Sequence, residues 1–327
     1  MILKSPGAIL FKNGIITLRY YGLMIALGFI MALYAAGKLA RKNDINIDTL
    51  TSLSLWCFIA GIIGARLYYV TLSYSFFLAH PLEIMATWNG GLSIHGGIAG
   101  GIIAGMIFCH RHKLSLFKYA DLICTCVPLG QAVGRWGNFF NSEAYGRPVS
   151  DDFFLKLYIP PECRPMSYYT YNYFHPTFLY ESVWDLILFA FLYFWAYKRT
   201  KAHPGMIFGL YLSGYSLGRM FIEPLRIDSV ASFAGLPVPV VASALTLIFS
   251  LCFMLHIYQK SVARGAAEAG SAAAGNAAMG STDAKSTENA AMGSTDAENT
   301  ENATMGSTDA LTNSPGNVEA AGDGDTN

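Results

Sequence analysis

The apolar positions between residues 20 and 258 gather into seven long runs: 20–38, 51–72, 92–109, 119–134, 177–197, 205–222 and 237–258. Each approaches the roughly 20 residues a helix needs to cross a bilayer. The fourth is the least regular, because Asp121, Pro128 and Gln131 interrupt it. The pattern predicts an all-α polytopic membrane protein with about seven transmembrane helices. No cleavable signal peptide is expected: Lys4, Lys12 and Asn13–Gly14 precede the first run, and no small-residue cleavage site follows a short apolar core.

After Tyr258 the pattern stops, and no aromatic residue, Cys or His follows. The remainder is Ala, Gly, Ser, Thr, Asn and acid, and it repeats with a period of 13: AAMGSTDAKSTEN from Ala277, AAMGSTDAENTEN from Ala290, ATMGSTDALTNS from Ala303. Such a repeat lacks the hydrophobic face with which solenoid units stack. It also has too little apolar surface to offset its ordering entropy. The reading is a transmembrane domain over 1–260 and a low-complexity, acidic, disordered tail over 261–327.

Composition sharpens the division. The chain is 53% hydrophobic and only 13% charged, about half the charge of an average soluble domain. This excludes a free-standing soluble protein and a basic nucleic-acid binder. The zero net charge is a sum of unlike parts: residues 1–260 hold 20 Lys/Arg against 12 Asp/Glu, and 261–327 hold 2 against 10. Between the apolar runs, 11 Lys/Arg lie on one side (Lys38 to Lys42, Arg111 to Lys118, Lys198 to Lys201, Lys260, Arg264) and 7 on the other. The positive-inside rule then places the N-terminus outside and the C-terminus in the cytoplasm. The six Cys give no disulfide or zinc framework: Cys57, Cys109, Cys124 and Cys252 lie in or beside apolar runs, Cys124 and Cys126 are too close for a CxxC pair, and only Cys163 sits in an outer loop.

Charges within apolar runs are expensive and mark function. They are Arg66, Asp121, Glu181, Asp185, Arg219 and Glu223, with Arg135 and Glu143 just beyond the fourth run and His95 at the start of the third. Arg219 and Glu223 are four apart, so a helix puts them on one face where they can pair. In HGGIAGGIIAG (His95–Gly105) the small residues recur every four positions, a face on which another helix can pack closely. The densest polar cluster is GRWGNFFNSEAYG, Gly134 to Gly146. Its Arg135 carries a planar five-donor fork suited to phosphate, its glycines allow close backbone approach to a ligand, and Asn138 and Asn141 can donate to phosphate or hydroxyl oxygens.

This cluster matches every fixed position of G-R-x-G-N-F-x-N-x-E-x-x-G, and there the chain resembles the prolipoprotein diacylglyceryl transferases. The resemblance continues in order over residues 20–223: Tyr21-Gly22-Leu23-Met24, Gly64-Ala65-Arg66-Leu67, Trp88 to Gly97 around His95, Asp121, His175-Pro176 to Glu181, and Arg219 to Glu223. Trp136 departs by occupying a free position where aliphatic residues are usual, and the loop 148–174 is long and aromatic. The resemblance implies a multi-pass enzyme of the bacterial inner membrane. It would move the diacylglyceryl group of phosphatidylglycerol onto the lipobox cysteine thiol of a preprolipoprotein, forming a thioether and releasing glycerol phosphate, without cofactor or metal. The substrate supplies the nucleophile, so His95 is the expected general base. Arg135 and Arg219 are the expected phosphate clamp. Tyr21, Arg66, Asn138, Asn141, Glu143, Gly146, His175 and Glu223 are expected around the lipid, and Asp121 and Glu181 are left as structural or without an assigned role, Glu181 as a local cap or bond. Two rivals fit less well. A transporter often shows internal repeats, and the two halves share no similarity. A lipid alcohol phosphotransferase needs clustered aspartates for Mg²⁺, and Asp121 stands alone.

Overall fold

The computed structural model describes residues 1–297 except 14, 15, 88, 89, 228–231 and 234, with backbone alone for 16, 232, 233 and 268–297. Three short strands open the chain: β1 (Ile2–Lys4), then the hairpin β2 (Ile9–Asn13) and β3 (Ile16–Arg19). Then come α1 (Tyr20–Arg41), α2 (Ile47–Leu72), the short α3 (Tyr74–Ala79), α4 (Ile94–Arg111) and α5 (Leu116–Asn141). After β4 (Lys156–Tyr158) and β5 (Tyr173–Phe174), α6 (Thr177–Ala190) passes through a π-helical stretch, Phe191–Ala196, into α7 (Tyr197–Thr200). The last helices are α8 (Met206–Ile222) and α9 (Val238–Ala297).

Every predicted apolar run falls on a helix. Four stretches, Tyr20–Arg41, Ile47–Leu72, Thr177–Thr200 and Val238–Ala267, are long and apolar enough to cross a membrane. α4 is glycine-rich, α5 carries Asp121, Pro128 and Gln131, and α8 has 17 residues. The outer surfaces of the helices are bare of polar cover: Ile30, Trp56, Ile63, Leu67, Ile187, Phe194, Phe221 and Phe249 are exposed. An apolar surface of that extent requires lipid rather than water around it. The chain is a multi-pass membrane protein.

Glycine sets how the helices pack. A Cβ at Gly28 of α1 would lie 2.7 Å from the Gly130 carbonyl oxygen of α5, so these helices touch backbone to backbone. α2 meets α4 in the same way, with Gly64 against Gly96 and Gly100. The small-residue face read from the sequence is therefore the α2–α4 contact. One buried cluster, including Leu39, Leu50, Leu53, Leu122, Leu192 and Ile207, lies among α1, α2, α5, α8 and the π-helical stretch. A second, with Phe139, Tyr145, Leu157, Ile159, Phe174 and Phe178, lies under the loop that follows α5.

Two features depart from the sequence reading. The all-α expectation omits the strands. β1 pairs in parallel with β4, which pairs antiparallel with β5, so the long loop after α5 satisfies its backbone with the N-terminus. The expectation of disorder over 261–327 meets a helix whose backbone continues to Ala297. The reason is local: the stretch is rich in Ala, the strongest helix former, and propensity alone needs no hydrophobic face. The chain divides into units Met1–Val262 and Ala263–Asn327, and the part of the expected tail over 298–327 lies outside the described residues.

Candidate active site

α8 and the residue that caps its C-terminus repeat polar groups every four residues: Tyr211, Tyr215, Arg219 and Glu223. At 3.6 residues per turn these form one stripe. Across it stand Arg135 of α5 and Glu181 and Asp185 of α6, again one helical turn apart. Glu181 is the hub. Its Oε2 lies 2.6 Å from Arg135 Nη2, and its Oε1 accepts from Arg219 Nη1 at 3.1 Å and Arg226 Nη1 at 2.9 Å. Arg219 Nη2 also pairs with Glu223 Oε2 at 2.7 Å, and Arg226 Nε lies 3.9 Å from the same oxygen. Three guanidinium groups and two carboxylates make up this cluster, and the buried carboxyl of Asp185 lies one turn further along α6.

The burial is graded in a useful direction. Glu181 and Glu223 are 5% and 2% exposed, whereas Arg135 and Arg219 are 20% and 18% exposed. The carboxylates lie deeper, and the arginines keep part of their side chains accessible. Among the described residues Arg135 pairs with Glu181 alone. A fork held on one edge and open on the other suits an incoming phosphate. The expected Arg219–Glu223 pair is present. Glu181, which the sequence leaves structural or unassigned, pairs with all three arginines. Arg226 is absent from the residues the sequence singles out; the signal for it is its position seven after Arg219 and three after Glu223, beyond Pro224.

A second polar group rims the end of α5. Ser142 and Ala144 adopt left-handed backbone conformations (φ 52° and 55°) and turn the chain out of the helix. That turn folds Glu143 back, so Asn138 and Asn141 both donate to its Oε1, at 2.9 and 3.2 Å. Glu143 therefore orders the asparagines and makes no ion pair with Arg135. Gly137 leaves room for the Tyr21 ring, which a Cβ would meet at 2.8 Å. Tyr21 thereby comes within electrostatic reach of Glu143 and Arg135.

Gly146 works through packing. Its N–H donates to the His175 carbonyl at 2.9 Å, it bridges Arg226, and Arg147 N–H donates to the Leu225 carbonyl at 2.7 Å. A Cβ there would sit 2.7 Å from His175 Cβ and 2.9 Å from Thr177 Cγ2. Three segments thus cross at one glycine and seat Arg226 beside Glu181. His175 Nδ1 lies 3.3 Å from the Tyr180 hydroxyl, and Phe153 packs edge-on against its ring. Burial pushes its pKa below the ordinary histidine value.

The α2–α4 pair carries two more expected residues. His95 lies in the first turn of α4, exposed, with its ring 6.3 Å from that of Tyr68. Among the described residues it makes no hydrogen bond or ion pair, and the structure does not bring it into contact with the arginines. Arg66, expected near the lipid, has every guanidinium donor engaged by backbone carbonyls: Nε with Ile84, Nη1 with Gly90 and Gly91, Nη2 with Glu83 and Ala86. It has none left for a phosphate. Asp121 accepts from Gly205 N at 2.7 Å and Phe208 N at 2.8 Å, capping α8 from α5. Among the described residues no three His, Cys, Asp or Glu are grouped to hold a metal ion.

A sequence profile described as prolipoprotein diacylglyceryl transferase matches residues 8–256. A phosphatidylglycerol–prolipoprotein diacylglyceryl transferase of Nostoc sp. is 46% identical over 233 residues, 70% of this chain and 82% of the relative. The Synechococcus elongatus protein of the same name is 40% identical over 259 residues, covering 78% and 88%. That of Synechocystis sp. is 46% identical over 231 residues, covering 69% and 81%.

Proposed function

The chain belongs to the prolipoprotein diacylglyceryl transferase family, and from that premise we propose how its own residues carry the reaction. The enzyme moves the diacylglyceryl group of phosphatidylglycerol to the lipobox cysteine thiol of a preprolipoprotein, the first step of lipoprotein maturation. Sulfur bonds to the glycerol carbon, the carbon–oxygen bond to phosphate breaks, and glycerol phosphate leaves. The thiol proton goes to a base. The observation that supports this reading is the arginine cluster, three guanidinium groups set on two buried glutamates and suited to stabilising charge on a lipid phosphate.

A free thiol is only a few per cent ionised at neutral pH, and its attack on carbon breaks the carbon–oxygen bond, so the departing phosphate carries away the bonding pair and gains negative charge. Arg135 and Arg219 stabilise that charge; Glu181 and Glu223 hold their forks in place, so no reorganisation is needed during reaction. Tyr21, Asn138 and Asn141, ordered through Glu143, face the glycerol head group. His95 is the base. Its exposed position on the neighbouring helix pair leaves it open to a peptide arriving from the lipid. An apolar cleft of about 510 Å³ among α1, α2, α4 and α5, lined by Phe29, Leu33, Cys57, Ile102 and Val127, offers space for acyl chains.

In this reading all seven long helices span the bacterial inner membrane, with the N-terminus outside and the Lys/Arg-rich connections and C-terminus in the cytoplasm. The site then opens at the outer boundary, where preprolipoproteins emerge. The test is incubation of the reconstituted enzyme with phosphatidylglycerol and a lipobox peptide, without metal or nucleotide. A peptide heavier by one diacylglyceryl group is the expected product, and its absence overturns the reading. Near-wild-type transfer by His95→Gln would remove the base assignment alone.

A further inference from the structure

The connection between α2 and α4 joins two properties that rarely coincide in a loop. Its side chains are apolar and bare: Tyr74, Phe76, Leu78, Leu82 and Met85 are 65, 52, 76, 89 and 77% exposed. Residues 73–93 contain no Lys or Arg. Its backbone is irregular beyond Ala79, with a 3-10 turn at Pro81–Met85 and then Gly90 and Gly91 at φ 90° and 75°. Carbonyls in such a stretch are short of helical partners, although Glu83 O also accepts from Ala86 N at 3.1 Å. In water they would be hydrated. Here five of them, from Glu83, Ile84, Ala86, Gly90 and Gly91, converge on the one side chain of Arg66.

A guanidinium has five N–H donors, so the match is complete. Arg66 is 7% exposed, it pairs with no carboxylate among the described residues, and the rings of Tyr69 and Phe77 flank it at 5.9 and 5.2 Å. Gly91 is seated against the Arg66 Nη1 atom, with no space for a Cβ. Burying a cation without a counter-charge is costly. The arrangement becomes favourable where the carbonyls also lack water. Irregular backbone at membrane depth is tolerated only when its polar groups are satisfied internally. The bare face also continues the lipid-facing surfaces of its neighbours, through Leu67 and Leu72 of α2 and Ile94 and Ile98 of α4.

We propose that the segment Tyr74–Ala86 is seated in the phospholipid surface, with Leu78, Leu82 and Met85 in contact with lipid and its backbone solvated by Arg66 instead of water. His80 and the half-buried Glu83 keep it at the boundary, short of the hydrocarbon centre. Arg66 is then a positioning residue: it ties the segment to α2 just before the chain enters α4 and reaches His95.

The experiment uses the full chain carrying Cys163→Ser, reconstituted in phosphatidylglycerol–phosphatidylethanolamine vesicles. Leu78→Cys and Leu82→Cys are treated with a membrane-impermeant maleimide, with Asp152→Cys, exposed at the same end of the helices, as reference. Both should react at least 10-fold more slowly than the reference. A nitroxide on Leu82→Cys should collide more often with oxygen than with a water-soluble nickel complex, which separates lipid contact from burial in protein. Adding Arg66→Gln should raise the Leu82→Cys rate towards the reference, and Arg66→Lys, with three donors, should fall between. Reference-like rates with Arg66 intact, or a nickel-dominated collision ratio, would overturn the lipid seat. An unchanged rate in Arg66→Gln would overturn the role of Arg66.

Discussion

Glu181 touches three arginines from three parts of the chain, so its loss should be felt in two ways at once. Glu181→Gln leaves Arg135, Arg219 and Arg226 with less counter-charge in a half-buried site. Removing one partner of a buried pair costs about 3 kcal/mol, and the arginine forks lose their fixed geometry. The variant should unfold at lower temperature and transfer at least about 100-fold more slowly, read by thermal unfolding and peptide lipidation on the same preparation. Unchanged stability and rate would show the hub to be idle. The Arg219–Glu223 pair was legible because its spacing of four is helical arithmetic. Glu181 was not, because Arg219 and Arg226 stand 38 and 45 residues away, and no local pattern reports a contact of that span. Arg66 misled for the converse reason: five donors suit a phosphate or five carbonyls equally well, and only the folded loop distinguishes them.

At the scale of elements, charge and glycine do more than propensity. Asp121 interrupts an apolar run because its carboxylate receives two N–H groups from the start of α8. Asp121→Asn keeps one acceptor oxygen of two and should cost about 1 kcal/mol, with turnover per folded enzyme unchanged. A turnover loss without a stability loss would instead put Asp121 in the chemistry. Gly64 and Gly96 set the approach of α2 to α4, so Gly96→Val should lower the yield of folded protein in detergent, and a normal yield would contradict the close backbone contact. The helices were visible as apolar runs and the α2–α4 contact as a four-residue spacing of small residues. The strands β1, β4 and β5 were not visible, since each is two or three residues long and formed by pairing distant in sequence.

For the whole molecule, the sum of charges hides two regions with opposite excess. The unit from Met1 to Val262 contains every residue assigned to the site, and the Ala-rich repeats lie in the other. Removing residues 263–327 should therefore leave the lipidation rate per inserted enzyme unchanged, and a large fall would give the repeats a part in activity. The central claim is that an arginine cluster set on buried glutamates drives departure of the lipid phosphate. Its most direct measurement is the rate at which Arg135→Gln, verified as folded and inserted, adds diacylglyceryl mass to a lipobox peptide in phosphatidylglycerol vesicles. A rate about 100-fold or more below that of the unaltered enzyme is predicted; an equal rate would contradict the account.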